Sequence, residues 1–318
     1  MIQATGAPGA RILGVGDYRP AKVVTNEDLE RVVETSDRWI RERTGISSRR
    51  VAGDETVADM ATIAGGKALA AAGIDPATID LVLVATCSNW DRLPGVAPQV
   101  AARLDIPLPG ALDVNAACAG FCYALGQASD AIRTGSAHHV LVIGAEKLSQ
   151  IVDWTDRSTC ILFADGAGAV VVGPSDEPAI GPVVWGSDGG KDTMITCRAD
   201  DPYLRMDGQG VFRWATTQLA PVARAACERA GYAPSELGAV VLHQANTRII
   251  DAIVRVLGVS PDAVIARDIV DTGNTSAASI PMALARLVAR SEITSGTPTL
   301  FLGFGSGLSY AAQVVLAP

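Results

Sequence analysis

The chain has 318 residues, of which 48% are hydrophobic and 19% are charged, and its formal net charge is −8. A chain of this length can bury a large core, and its acidic balance argues against general affinity for nucleic acids or anionic membranes. It contains no apolar run of about 18 residues and no cationic start followed by an apolar stretch, so we expect a cytoplasmic protein without a transmembrane helix or secretory signal.

The six cysteines and three histidines are scattered without CxxC pairs or the spacing of a zinc site. We therefore expect neither a disulfide framework nor a metal ion. A free cysteine is usually a small buried apolar residue. That is the expectation for five of the six, namely Cys87, Cys122, Cys160, Cys197 and Cys227.

Helix-like and strand-like segments alternate along the first half of the chain. Residues 25–28, Thr-Asn-Glu-Asp, have the form of a capping box and predict a helix through Val33. The alanine-rich segment 58–72 predicts another helix, and short Val/Leu/Ile runs such as 81–84 predict strands buried between helix layers. This alternation is typical of an α/β fold.

Cys118 follows an apolar, strand-like run and precedes a helix that we expect to end at Gly135. The N–H groups of a helix's first turn are unpaired and partly positive, so they lower the pKa of a thiol placed there. We therefore expect a reactive thiolate. His243, at a strand end, and Asn274, in a turn, are candidate partners, because a Cys, a His and an Asn together suggest thioester chemistry.

Purely structural interpretations of the histidines and of Asn274 stay open. A lone histidine on a strand is often a hydrogen-bonded core residue, although His243 stands at a strand end, where sites form. Asn274 and the preceding Gly273 both tolerate positive φ and are common in turns. His138 and His139 precede a strand and are expected to be solvated.

The chain resembles itself at an offset of about half its length. The matching segments are 72–84 with 230–242, and 140–144 with 299–303. At the first offset Cys118 falls on Ser276. The repeat predicts two similar α/β halves packed as a layered sandwich, residues 1–175 with Cys118 and residues 176–318 with His243 and Asn274. The irregular segment 186–210 is expected to line a substrate channel.

Five segments match one protein family in the family's own order. They are SDRWIRERTGI (36–46), ACAGF (117–121), FADGAG (163–168), HQAN (243–246) and GNTSAASIP (273–281). Nearly end to end, the chain resembles the β-ketoacyl-acyl-carrier-protein synthases III, initiating condensing enzymes of the thiolase superfamily, especially their actinobacterial type. The resemblance implies a five-layered αβαβα sandwich of two pseudo-repeated halves.

The resemblance also implies a reaction. An acyl-CoA acylates Cys118, and decarboxylative Claisen condensation with malonyl-acyl carrier protein follows, in fatty-acid or polyketide biosynthesis, without a cofactor. His243, as a neutral imidazole, and Asn274 donate hydrogen bonds to the enolate, and the backbone N–H groups of Cys118 and Ser306 form the oxyanion hole. Many relatives have glycine where this chain has Ser306, so the hole requires a φ at Ser306 that is not restricted to glycine.

Binding residues follow from the same resemblance. They are Trp39 and Arg157 around the CoA adenine, Arg43 near the nucleotide phosphates, Phe212, Asn246 and Phe304 along the pantetheine tunnel or beside the active site, and Arg248 at a carrier-protein docking position. Leu93 matches the residue that closes the acyl pocket of the opposite subunit in a homodimer, and its medium size favours a starter larger than acetyl. Trp39 and Arg157 also fit simple packing and a surface charge, respectively.

Two other functions stay open. An acyltransferase on the same scaffold, moving the acyl group from Cys118 to an alcohol or amine, would not need the Asn274 donor. A non-catalytic acyl-binding partner subunit would not need Cys118. Because both residues are present, we expect condensation.

Overall fold

The fold is built from short strands and helices that alternate along the chain, and a computed structural model describes them for residues 6–91 and 93–318. The strands are β1 (Gly9–Tyr18), β2 (Lys22–Thr25), β3 (Ser48–Val51), β4 (Leu81–Ala85), β5 (Gly110–Val114), β6 (Val140–Lys147), β7 (Asp165–Ser175), β8 (Val184–Ser187), β9 (Ile195–Thr196), β10 (Arg205–Met206), β11 (Ala239–Leu242), β12 (Val264–Ile265), β13 (Pro298–Gly305) and β14 (Ser309–Leu316). The helices are α1 (Asn26–Glu30), α2 (Asp37–Thr44), α3 (Val57–Ala72), α4 (Val96–Arg103), α5 (Gly120–Arg133), α6 (Gly208–Ala230), α7 (Thr247–Leu257), α8 (Ile269–Thr272) and α9 (Ser279–Ala289).

Two five-stranded sheets with the same strand order form the framework. The first has the order β5-β4-β6-β7-β1 and the second the order β12-β11-β13-β14-β8. In each sheet the first three strands are parallel and the last two pairings are antiparallel. The repeated order and direction confirm the prediction of two similar halves.

The helices form three layers around these sheets. Helices α5 and α9 lie between the sheets, α3 and α4 cover the outer face of the first, and α6 and α7 cover the outer face of the second. In the central layer Phe121 of α5 packs against Phe301 of β13, with ring centroids 6.3 Å apart. Removing such a buried ring costs about 3–5 kcal/mol. The order helix, sheet, helix, sheet, helix is the one that the family resemblance implies.

The chain passes from one sheet to the other between Ser175, the end of β7, and Val184, the start of β8. Both sheets contribute side chains to one apolar core around α5 and α9, so the halves are joined in a single core. The division into residues 1–175 and 176–318 stays a prediction. None of the helices in the described part of the chain combines the length and the apolar character needed to cross a membrane. The expectation about a secretory signal rests partly on residues 1–5, which lie outside the described residues.

The first helix is shorter than predicted. The capping box is present, with the Thr25 hydroxyl accepting from the Asp28 N–H at 3.1 Å and the Asp28 carboxylate accepting from the Thr25 N–H at 3.0 Å. However, α1 ends at Glu30 rather than Val33. The N–H groups of Arg31 and Val32 bond to carbonyl oxygens three residues back, and this tightening ends the helix.

The repeat is shifted by one residue at the start of the central helices. The 3₁₀ turns ahead of α5 and α9 begin at Ala117 and Ser276, both non-glycine residues at positive φ, 46° and 48°. Cys118 therefore corresponds to Ala277, and the expected match of Cys118 with Ser276 was wrong. From the start of β12 to its turn the second half has five more residues than the first half has from the start of β5, and α8 lies there. Between the two preceding paired strands the second half has four fewer residues, so the net shift is one residue.

Candidate active site

A cavity of about 730 Å³ receives Cys118, His243 and Asn274 from three different connections. Cys118 lies in the turn before α5, His243 follows β11, and Asn274 follows α8. Cys118 follows β5 of the first sheet, whereas His243 and Asn274 follow β11 and β12 of the second. The site therefore lies where strand ends of the two sheets meet. The structure thus brings together the three residues that the sequence predicted as partners.

Cys118 is pressed against the second half of the chain. A Cβ atom built on Gly305 would lie 2.8 Å from the Cys118 backbone nitrogen and 3.0 Å from its Sγ. No side chain fits there, so glycine is required at position 305 by this close approach. The loop after β13 and the nucleophile candidate are therefore in direct contact.

The expected low pKa of Cys118 was wrong for the free protein. Burial raises the pKa of the thiol to about 12, and the Glu146 carboxylate also raises it, whereas hydrogen bonds from Ser276 and from the Cys118 backbone lower it. The unpaired N–H groups of the turn are thus outweighed by the loss of water around the sulfur. The resting side chain is a thiol.

A buried carboxylate lies close to this thiol. Glu146, at the end of β6, accepts hydrogen bonds from the Cys87 N–H at 3.1 Å, from the Cys87 Sγ at 3.3 Å, and from the Ser88 hydroxyl. The Cys87 sulfur in turn lies 3.8 Å from the Ser276 hydroxyl oxygen. Burial raises the pKa of Glu146 and of Cys87. This cluster holds the segment after β4 against the site.

We expect alkylation of Cys118 to report its raised pKa. Because the thiolate fraction grows about tenfold per pH unit below the pKa, the rate of modification by iodoacetamide is expected to rise without a plateau from about pH 7 to about pH 10. Peptide mass spectrometry measures the rate at Cys118, with the exposed Cys197 as an internal reference. A plateau reached below neutral pH would instead indicate a resting thiolate.

His243 is buried and neutral. Burial lowers the pKa of its imidazole to about 3, so the ring carries no charge near neutral pH. Its Nδ1 lies 2.7 Å from the Ser279 hydroxyl oxygen, and its ring packs edge-on against Phe304 at a centroid distance of 5.2 Å. The ring is therefore fixed on two sides. This neutral state agrees with the expectation from the sequence.

Asn274 presents its amide NH₂ group to the cavity. Its Oδ1 accepts from the Ser276 N–H at 2.9 Å, and no oxygen among the described residues accepts from its Nδ2. The backbone of Asn274 bonds to Leu162 at 2.8 Å and to Ala164 at 2.9 Å. Hydrogen bonds thus hold the backbone of Asn274 and its Oδ1 atom, and they leave Nδ2 to donate to a ligand.

Gly273 makes the approach of Asn274 possible. Its φ is 74°, a left-handed conformation that side chains disfavour. A Cβ atom there would lie 2.8 Å from the Cβ atoms of both Ala164 and Arg49. Gly273 and Asn274 therefore form a turn, and this turn places the Asn274 amide in the cavity. The structural interpretation of the pair is thus compatible with a role of Asn274 in the site.

Ser306 lies in the loop beside Cys118 without backbone strain. The positive φ in this loop, 128°, is at Gly307, so serine at position 306 requires no glycine-only conformation. The Ser306 hydroxyl donates to the Ile195 carbonyl of β9 at 2.7 Å. The substitution for glycine therefore ties the loop to the segment 186–210, which also lines the cavity.

An aromatic and cationic cluster lies at the mouth of the cavity. The guanidinium carbons of Arg43 and Arg157 lie 4.6 and 4.9 Å from the Trp39 ring centroid. Trp39 and Arg43 line the cavity, whereas Arg157 lies just outside its lining. An indole with two guanidinium groups is suited to a flat heteroaromatic ring and its phosphates. The three residues predicted to surround the CoA nucleotide thus lie together, and their role in binding it stays a prediction.

Comparison with known proteins identifies the family. A model of 3-oxoacyl-[acyl-carrier-protein] synthase III matches residues 112–189, and the model of that family's C-terminal part matches residues 227–316. Beta-ketoacyl-[acyl-carrier-protein] synthase III 4 of Streptomyces coelicolor is 55% identical over 98% of this chain and 99% of its own length. The chain belongs to the β-ketoacyl-[acyl-carrier-protein] synthase III family.

Two solved structures of this family's fold are very similar. The priming β-ketosynthase of a polyketide biosynthetic pathway superposes with a TM-score of 0.98 at 46% identity, covering 100% of this chain and 98% of that one. The 3-oxoacyl-[acyl-carrier-protein] synthase III of Aquifex aeolicus superposes with a TM-score of 0.93 at 43% identity, covering 98% and 100%. Both support the αβαβα architecture of the synthase III family for this chain.

The remaining residues predicted from the synthase III resemblance fall into two groups. Phe212, Asn246, Phe304 and Arg248 line the cavity. The Arg248 guanidinium carbon lies 5.2 Å from the Phe212 ring centroid, and the Asn246 side chain caps α7 and donates to the Arg43 carbonyl at 2.9 Å. Leu93 is absent from the lining and is 88% exposed.

Sequence reasoning missed several residues of this synthase III site. Cys197 is exposed, so the expectation that it is buried was wrong, whereas Cys122, Cys160 and Cys227 are buried. Cys87 is half-buried, and it lines the cavity together with Cys197. Cys87 lies two residues after the end of β4. This position at a strand end was the feature of the sequence that could have indicated a site residue. The exposed Arg213 of α6 also lines the mouth, but nothing in its local sequence distinguishes it.

Proposed function

We propose that this protein catalyses the initiating condensation of fatty-acid or polyketide biosynthesis. An acyl-CoA primes Cys118, and malonyl-acyl carrier protein extends the acyl group to a β-ketoacyl-acyl carrier protein. The observation that carries the proposal is one cavity in which a cysteine, a neutral histidine and an asparagine amide meet beneath a cationic mouth. Family membership supports the same reaction.

In the first half-reaction the Cys118 sulfur attacks the thioester carbonyl of acyl-CoA. The sulfur–carbon bond to Cys118 forms, the bond to CoA breaks, and the proton of the Cys118 thiol ends on the released CoA thiol. Backbone N–H groups of Cys118 and Ser306 stabilise the oxyanion in this proposal. The contact of Gly305 with Cys118 supports it, because this contact holds the two backbone segments side by side.

In the second half-reaction malonyl-acyl carrier protein loses carbon dioxide. The electrons of the broken carbon–carbon bond form an enolate, whose oxygen accepts hydrogen bonds from His243 and from the Asn274 amide. The enolate carbon attacks the acyl group, the bond to Cys118 breaks, and its sulfur regains a proton from water. Neutral donors suit this step, because they stabilise developing charge without first neutralising the malonyl carboxylate.

The mouth provides the recognition that these acidic substrates require. Arg43, Arg213 and Arg248 are exposed there, and none has a carboxylate within 4.0 Å among the described residues. We propose that Trp39 and Arg157 hold the CoA adenine, that Arg43 meets its phosphates, and that Arg248 docks the acidic carrier protein. Free guanidinium groups on a protein of net charge −8 supply the local positive potential.

A homodimer would complete the acyl pocket. Strand β5 is an edge strand of the first sheet, and it exposes 44% of Leu112. Exposed edges invite pairing with another chain. Leu93, exposed on a loop of the same half, is then placed by this proposal in the pocket of the partner subunit. We expect its size to favour starters larger than acetyl and the dimer to act in the cytoplasm.

Two alternatives are separated from condensation by specific contacts. Plain acyl transfer to an alcohol or amine needs no second donor, yet the Asn274 amide is oriented through Ser276 and left free. A non-catalytic acyl-binding subunit needs no nucleophile, yet Cys118 opens into the cavity. The free Asn274 amide and the position of Cys118 in the cavity both favour the condensing reaction.

We expect the purified protein to release carbon dioxide from malonyl-acyl carrier protein and to form β-ketoacyl-acyl carrier protein in equal amounts when an acyl-CoA is present. Carboxyl-labelled malonyl-acyl carrier protein and intact mass spectrometry of the carrier protein measure the two products. A panel of acyl-CoA chain lengths then identifies the starter. Acylation of added alcohols or amines without carbon dioxide release would favour the acyltransferase instead.

A further inference from the structure

Ser279 has an unusual position behind the histidine of the site. It is the first residue of α9, it is 1% exposed, and it lies outside the cavity lining. Its hydroxyl oxygen lies 2.7 Å from His243 Nδ1 and 3.3 Å from the backbone nitrogen of Gln244. Nothing in the reaction described above assigns a role to this hydroxyl.

The positions of the hydrogens follow from the available partners. The neutral imidazole of His243 carries one hydrogen, on either Nδ1 or Nε2. The Gln244 N–H can only donate, so the Ser279 oxygen accepts from it. If Nδ1 carried the hydrogen, the same oxygen would accept a second time, and the buried serine hydrogen would have no acceptor among the described residues.

All three groups are satisfied by one arrangement. In it the Gln244 N–H donates to Ser279, the Ser279 hydroxyl donates to Nδ1, and the imidazole hydrogen is on Nε2. We infer that Ser279 is a positioning residue that holds His243 as its Nε2–H tautomer. The tautomer of His243 is measured directly and does not depend on the proposed function. Only the role of that tautomer in catalysis rests on the proposed function.

The tautomer of His243 determines in which half-reaction this residue takes part. An Nε2–H group donates a hydrogen bond, as stabilisation of an enolate oxygen requires. The same nitrogen has no lone pair to accept the Cys118 proton. His243 therefore serves decarboxylation and is not the base for acylation, and a change at Ser279 affects only the second half-reaction.

The tautomer is read from nitrogen chemical shifts. We use protein labelled with ¹⁵N-histidine in a His138→Gln/His139→Gln background, which leaves His243 as the only histidine of the chain. Long-range ¹H–¹⁵N correlation distinguishes the two ring nitrogens. We expect a protonated Nε2 and an unprotonated Nδ1. A hydrogen on Nδ1 would overturn the inference without reference to any activity.

The variant Ser279→Ala tests the cause. We expect the tautomer signals to shift towards a mixture and malonyl decarboxylation to fall about fivefold, the effect of one hydrogen bond, while the acylation rate changes less than about twofold. Ser129→Ala, which removes a buried hydroxyl of α5, is the matched control. An unchanged tautomer in Ser279→Ala, or equal loss of both half-reactions, would contradict the role of Ser279. Absence of any condensation by the unmodified protein would instead refute the proposed function and leave the tautomer measurement standing.

Discussion

Cys118→Ala is expected to abolish the acyl-enzyme and to reduce condensation on the order of 10³-fold or more, because no other group can form the covalent intermediate at this position. The side chain lies in the turn before α5 with its sulfur against Gly305, so loss of one sulfur atom leaves the surrounding backbone contacts in place. Intact-protein mass spectrometry after incubation with acyl-CoA measures the acyl increment.

Cys87→Ala is the matched control for this experiment. Cys87 also lines the cavity and donates to Glu146, so it is the other thiol that an acyl-CoA would meet close to Ser276. We expect the Cys87 variant to retain the increment. An increment that persists in the Cys118 variant, or that disappears only in the Cys87 variant, would show that the nucleophile is assigned to the wrong sulfur.

His243→Ala and Asn274→Ala are expected to separate the two half-reactions. Each removes one donor to the enolate oxygen, and loss of one such donor typically costs about 10²- to 10³-fold in rate. Acylation needs neither donor, so the acyl increment is expected to form at nearly the normal rate. Rapid-quench mass spectrometry measures acylation, and release of labelled carbon dioxide measures decarboxylation.

A histidine outside the cavity provides the control for this pair of variants. His139 lies beside His138 at a ring centroid distance of 4.4 Å, away from the cavity lining, so His139→Ala is expected to leave both rates unchanged. Equal loss of acylation and decarboxylation in the His243 or Asn274 variant would contradict the division of roles, because it would place both groups in the first step.

Cys118 and His243 were predictable from the sequence because each follows an apolar run that forms a strand, and Asn274 was predictable because it stands in a Gly-Asn turn. Residues that follow parallel strands collect at the ends of those strands, and here the ends of β5 and β11, in two different sheets, meet at one cavity. The internal repeat predicted that the framework would be built twice, and the two sheets indeed have one strand order. Local patterns indicated the individual residues, and the order of the family's motifs indicated that they belong to one site.

The pKa of Cys118 was not predictable in the same way. The local rule, a thiol at a helix start, predicts a lowered pKa, whereas the structure raises it to about 12 by burial. Gly305, which packs against Cys118, and Ser276, whose hydrogen bond lowers the pKa, are both more than 150 residues away in the sequence. The roles of Cys87, Glu146 and Ser279 depend on similar distant contacts, so no local pattern indicates them.

The shifted repeat has a comparable cause. The segment with α8 makes the second half five residues longer before Asn274, and the connection between β11 and β12 makes it four residues shorter. A constant offset therefore places Cys118 one residue away from its true counterpart. The longer segment also creates the Gly273 turn, whose close contacts with Arg49 and Ala164 carry the amide into the cavity. The two halves thus differ in the segment that carries the candidate catalytic residue: Cys118 in the first half and Asn274 in the second.

A single-turnover chase tests the proposed chemistry most directly. Protein acylated by acyl-CoA and freed of excess substrate is mixed with malonyl-acyl carrier protein, and the peptide that contains Cys118 is followed by mass spectrometry. We expect the acyl mass to leave this peptide at the rate at which β-ketoacyl-acyl carrier protein appears, with one product per acyl group lost. An acyl group that stays on Cys118 while product accumulates, or that is found on another residue, would contradict condensation through this thiol.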